Sequence, residues 1–82
     1  MVARRLRDSK RWISLGARLR QLREHRGQSR AEASRVTGIS PNSLVRYEDG
    51  SREPGVGAII KIARAYAVTT DWILLGRDSG AR

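Results

Sequence analysis

Asn42 and Arg46 stand four residues apart, close enough to share one face of a helix. A carboxamide offers a donor beside an acceptor, and a guanidinium offers two parallel donors. The first matches N6 and N7 of adenine and the second O6 and N7 of guanine, both on the major-groove edge of DNA. Ser40 and Ser43, together with the open amides of a helix start, suit phosphate oxygens. The chemistry on offer is recognition of a duplex rather than bond making.

Those side chains need a helix that begins at the right residue. Ser40 has the character of an N-cap, and Pro41 sits at the first helical position, where its missing N–H is harmless. Ile39 before the cap and Leu44 at the fourth position form a hydrophobic staple. Leu44 and Tyr47 then define the inner face, leaving Asn42, Val45 and Arg46 outside, and Asp49-Gly50 ends the helix. The helix before it opens on the capping box Ser29-Arg30-Ala31-Glu32, has only Ala31, Ala33 and Val36 to bury, and stops at Thr37-Gly38. Two short helices joined by a glycine turn, the second exposing an amide and a guanidinium, make a DNA-reading unit.

Trp12, Leu15, Leu19 and Leu22 mark one face of a first helix ringed by Arg18, Arg20, Arg23 and Arg26 and stopped by Gly27. After the loop Ser51-Arg52-Glu53-Pro54-Gly55, the run Val56, Ile59, Ile60, Ile62, Ala63 and Tyr66 predicts a helix apolar around much of its girth, and therefore central. Thr69 caps a last short helix carrying Trp72, Ile73 and Leu75, with Gly76 as its stop. The expected division is a basic arm over 1–12, one all-α domain over 13–76 and a frayed tail over 77–82.

Composition narrows the partner. The 82 residues carry 17 basic and 8 acidic side chains, and 13 of the former lie in residues 1–52, against 5 acidic ones. Such a field favours a polyanion, although 15 of the bases being arginine also fits an arginine-rich genome. The chain has no cysteine and a single histidine, His25, so it lacks thiolate ligands and a zinc set. No apolar run is long enough to span a bilayer, and the charged N-terminus is not followed by the apolar stretch of a secretory signal.

From Leu15 to Gly76 the chain resembles the Cro and phage-repressor type of helix-turn-helix, the xenobiotic-response-element family. The residues that carry the resemblance are LGARLRQLREHRGQSRAEASRVTGIS, LVRYEDGSREP and IIKIARAYAVTTDWILLG, in order and spacing. The resemblance implies a five-helix bundle with its second helix over the phosphate backbone and its third in the major groove. Ser29 and Arg30 then stand at backbone-contacting positions, Arg30 where the family often has glutamine. Ser40, Pro41, Asn42, Ser43 and Arg46 take the reading and anchoring positions, with Val45 beside them, and Arg52 lies in a loop that commonly meets phosphate. Arg23 and Glu48 match an ion pair between the first and third helices. Three departures stand out: Pro41 replaces a residue that often reads a base, Ala33 replaces a larger aliphatic, and Gly55 and Gly57 weaken the start of the fourth helix.

The resemblance implies a sequence-specific, double-stranded DNA-binding regulator of transcription, a Cro-like or immunity-type repressor of phage or prophage origin, in the bacterial cytoplasm. A chain with room for this domain only resembles Cro more than the two-domain repressors. The expected partner is a pseudo-palindromic operator bound by a homodimer, with no cofactor, metal, membrane or small-molecule substrate. The alternative is an antitoxin-type module whose apolar Trp72-Ile73-Leu74-Leu75 end meets a toxin. A membrane-surface protein would use the basic arm. An enzyme is least supported, because no carboxylate pair or nucleophile–base set is visible.

Overall fold

The computed structural model describes residues 2–77, with side chains from residue 14 onward. The side chain of Trp12 and residues 78–82 of the tail, both read above from sequence, lie outside what is so described. Five helices follow one another: α1 (Val2–His25), α2 (Arg30–Thr37), α3 (Pro41–Glu48), α4 (Val56–Tyr66) and α5 (Thr70–Leu75). The all-α class expected from the periodicity is the one found, and α1 takes in the basic stretch as helical backbone.

Caps fix where three of these helices begin. Ser29 Oγ accepts from the Glu32 amide at 3.1 Å while the Glu32 carboxylate accepts from the Ser29 amide at 2.7 Å, closing the capping box. Those bonds from Ser29 hold the exposed Glu32 carboxyl below its ordinary pKa. Ser40 and Thr69 cap α3 and α5 in the same way. Between α2 and α3 the chain reverses at Gly38, whose φ of 77° suits a residue without Cβ.

The core gathers Leu15 and Leu19 of α1, Ala33 of α2, Leu44 of α3, Ile59, Ile62 and Tyr66 of α4 and Ile73 of α5. Ile39 joins them, so both halves of the staple are buried together. Of the three apolar residues read for α2, only Ala33 is inside; Ala31 and Val36 face out. Thr37 takes the inner place instead, because its hydroxyl can donate to the Ala33 carbonyl at 2.7 Å and accept from the Ile39 amide at 3.2 Å. A buried hydroxyl with both bonds made costs little.

The central position expected for α4 is a correction. It packs on α2 and α5 yet leaves Val56 78% and Ile60 39% exposed. Its apolar girth exceeds what its neighbours cover. Leu74 and Leu75 of α5 are likewise exposed.

Candidate nucleic-acid interface

On α3 the inner and outer faces separate as the caps dictate. Leu44 and Glu48 are buried and Tyr47 half-buried, while Pro41, Asn42, Val45 and Arg46 are exposed. The Ser40 hydroxyl accepts from the Ser43 amide at 3.1 Å and donates to Ser43 Oγ at 3.0 Å. The Ser40 proton is therefore committed to the cap, and the Ser43 hydroxyl keeps a proton to offer outward.

The loop after α3 folds back on that helix. The Arg46 carbonyl accepts from the Ser51 amide at 3.0 Å and the Arg52 amide at 3.3 Å. Asp49 Oδ1 accepts from the Ser51 amide at 2.8 Å, and these Ser51 bonds lower the Asp49 pKa. Arg52, exposed, is thus tied through backbone to the same residue whose guanidinium faces out. Ser29 and Arg30 stand at the start of α2, the former exposed and the latter half-buried.

Beneath this surface lies the expected ion pair. Arg23 Nε donates to Glu48 Oε2 at 2.7 Å and its Nη2 to Oε1 at 3.0 Å, a forked pair. Arg23 Nη1 also donates to the Gln28 carbonyl at 2.9 Å. The Glu48 bonds outweigh burial and raise the Arg23 pKa above its ordinary value. With side-chain exposures of 11% and 2%, the pair is shielded, and removing one partner of such a pair costs ~3–5 kcal/mol.

Three features lay beyond the sequence reading. Arg30 reaches the same carboxylate, its Nη2 3.2 Å from Glu48 Oε1. Arg18 Nε and Nη2 donate to the carbonyls of Ile73 and Leu74 at 2.8 and 3.1 Å, and burial lowers its pKa. Arg26 Nη2 donates to the Tyr66 carbonyl at 3.0 Å and lies 5.3 Å from that ring's centre, while the Tyr66 hydroxyl donates to Gln28 at 2.7 Å. None has a local signature, since each partner is distant in the chain. Gly16 did leave one: a glycine inside a periodic helix marks a close approach. It is buried, and a Cβ there would meet the Tyr47 carbonyl and come within 2.7 Å of the Glu48 carbonyl oxygen.

No helix among the described residues is long and apolar enough to cross a membrane. Compared with known proteins, residues 14–72 match the helix-turn-helix domain family. The chain is 38% identical over 66 residues to the HTH-type transcriptional regulator ImmR of Bacillus subtilis (strain 168), covering 80% of this chain and 51% of that protein. It is 31% identical over 61 residues to the SPbeta prophage-derived uncharacterized HTH-type transcriptional regulator YonR of the same organism, covering 74% and 56% respectively. The chain therefore spans about half the length of these curated relatives. No solved structure gives a significant match.

Proposed function

The chain belongs to the helix-turn-helix domain family, and we propose that it binds double-stranded DNA in a sequence-specific manner to regulate transcription. The proposed role is that of a Cro-like or immunity-type repressor of phage or prophage origin, acting in the cytoplasm. The observation that carries the reading is the split character of α3. Its inner face is fixed by Leu44 and Glu48, and its outer face presents Asn42, Val45 and Arg46. A helix held this way can lie in the major groove with an amide and a guanidinium on base edges. The names of the two relatives support the regulatory half of the reading, and that of YonR the prophage half. They lend no support to a toxin-binding module.

Ser29, Arg30, Ser43 and Arg52 are the proposed phosphate contacts; Ser40 contributes by holding Ser43 in place. Pro41 offers only an apolar contact, suited to a thymine methyl. One helix with two polar readers specifies few base pairs, so two copies are proposed to bind an inverted repeat. Val56, Ile60 and Leu74 line one groove on the α4–α5 side, and they and Leu75 are exposed. Residues 53–82 carry 4 basic and 3 acidic side chains, so that end suits the approach of two basic chains. Selection of bound duplexes from a random pool tests the function. A near-palindromic motif is the expected result, and a pool that stays random after several rounds refutes sequence-specific binding.

A further inference from the structure

Glu48 holds two guanidinium groups, and only one of them is needed to secure α3 to α1. Arg23 fills the forked position on the carboxylate. Arg30, from α2, is left with a single terminal nitrogen 3.2 Å from Oε1. Its Nε is buried and donates to nothing among the described residues. Each charge also sits at the helix end that disfavours it: Arg30 is the first residue of α2 and Glu48 the last of α3. Their approach offsets both penalties and ties the start of α2 to the end of the reading helix. The Glu48 side chain is 2% exposed and that of Arg30 36%. Arg23 also approaches Glu24, at 3.9 Å, so of the two cations on Glu48 Arg30 is the one whose charge reaches solvent.

We propose that Glu48 is a positioning residue for DNA binding, acting through Arg30. It fixes a cation at the head of α2 relative to α3, so that the phosphate contact and the base contacts are set in one register. This rests on the DNA-binding reading above. Arg23 gives Glu48 a second, purely structural duty, and the two duties separate in a double-mutant cycle.

The experiment uses the full chain, the duplex selected above, and the variants Glu48→Gln, Arg30→Gln and both together, at a temperature where all are folded. Affinity is measured over a salt series, and thermal melting is followed in parallel. Arg30→Gln should weaken binding about tenfold and flatten the salt slope by about 0.9 for each bound copy. Glu48→Gln should weaken binding several-fold with the slope unchanged, yet cost no further affinity once Arg30 is glutamine. Its lowered melting temperature, which comes through Arg23, should persist in both backgrounds. Equal loss of affinity from Glu48→Gln in both backgrounds would show that it acts through the fold alone and overturn the proposal.

Should Glu48→Gln not fold, Arg30→Lys carries the test. Lysine keeps the charge but has one nitrogen where the guanidinium has three, so it cannot meet Glu48 with one and a phosphate with another; the slope should hold while affinity falls several-fold, and affinity equal to wild type overturns the proposal. A wild-type chain that binds no duplex even at low salt would remove the DNA-binding reading itself, an outcome distinct from either.

Discussion

Arg46 uses its two ends for different purposes. Its carbonyl receives the Ser51 and Arg52 amides and so anchors the following loop, while its side chain is exposed on the outer face of α3. Truncation to alanine keeps the backbone anchor and removes only the guanidinium. Arg46→Ala is therefore expected to cost about 1–3 kcal/mol on the selected site and to relax preference at one base position. Arg52→Ala should instead weaken selected and unrelated duplexes by the same factor, since phosphates carry no sequence. Titration of both variants on both duplexes checks this; equal losses everywhere for Arg46→Ala would remove it from the readers. That Asn42, Val45 and Arg46 face outward was legible in the sequence, because Ser40 and Pro41 set the starting residue and helical phase does the rest. The Arg23–Glu48 pair was legible only through family resemblance. The approach of Arg30 to Glu48 was not, because it joins residues 18 apart through tertiary packing.

Among the elements, α1 does more than supply a face for the core. Arg18 serves the last carbonyls of α5, Arg23 the end of α3 through Glu48, and Arg26 the last carbonyl of α4. C-terminal carbonyls lack intrahelical partners and carry partial negative charge, so arginines there are stabilising. Of the arginines that ring α1, three thus also fasten other helices to it. The close seat of α3 on α1 depends on Gly16, seven residues before Arg23 and on the same helical face. The atoms a Cβ would strike are backbone carbonyls, which cannot swing aside. Gly16→Ala is expected to destabilise the domain by about 1–3 kcal/mol; a denaturant midpoint equal to wild type would show that α3 can retreat without cost. The opposite change applies after α4, where Ala67 closes the helix at φ 54°, the left-handed region. Ala67→Gly relieves a strain of roughly 1–2 kcal/mol against a flexibility cost of about 0.5–1 kcal/mol. The midpoint should rise by the equivalent of about 0.5–1 kcal/mol, and a fall would mean that Ala67 is not strained. Helix order and caps were readable because they are local; the girth of α4 misled because periodicity counts apolar residues but not the neighbours available to cover them.

For the whole molecule, the formal charge of +9 overstates what is free to meet DNA, since Arg18, Arg23 and Arg26 already have partners inside. Binding should still be strongly salt-dependent: five to eight phosphate contacts across a two-fold site give a log–log slope of roughly −4.5 to −7. A nearly flat response between low and physiological salt would contradict a backbone-anchored complex. Symmetry follows from the same economy. With Asn42 and Arg46 as the proposed polar readers of a single copy, two copies about a two-fold axis would double that number and demand half-sites whose centres lie ~34–36 Å apart. The α4–α5 side, with Val56 and Leu75 more than half exposed, can supply the contact between copies. Trp72 is half-buried and packs on the core, so of the residues expected from the sequence to meet a partner, Leu75 is the better placed. Because few large apolar side chains are exposed on the α4–α5 side, association is expected to be weak off DNA and to show itself as cooperativity on it. Binding to an inverted repeat should therefore be steeper and tighter than to one half-site, and Leu75→Glu should abolish the difference while leaving half-site affinity nearly unchanged. Moving the half-sites apart by half a helical turn should do the same from the DNA side. If one half-site alone is bound as tightly as the repeat, the domain acts singly and the apolar face serves something else.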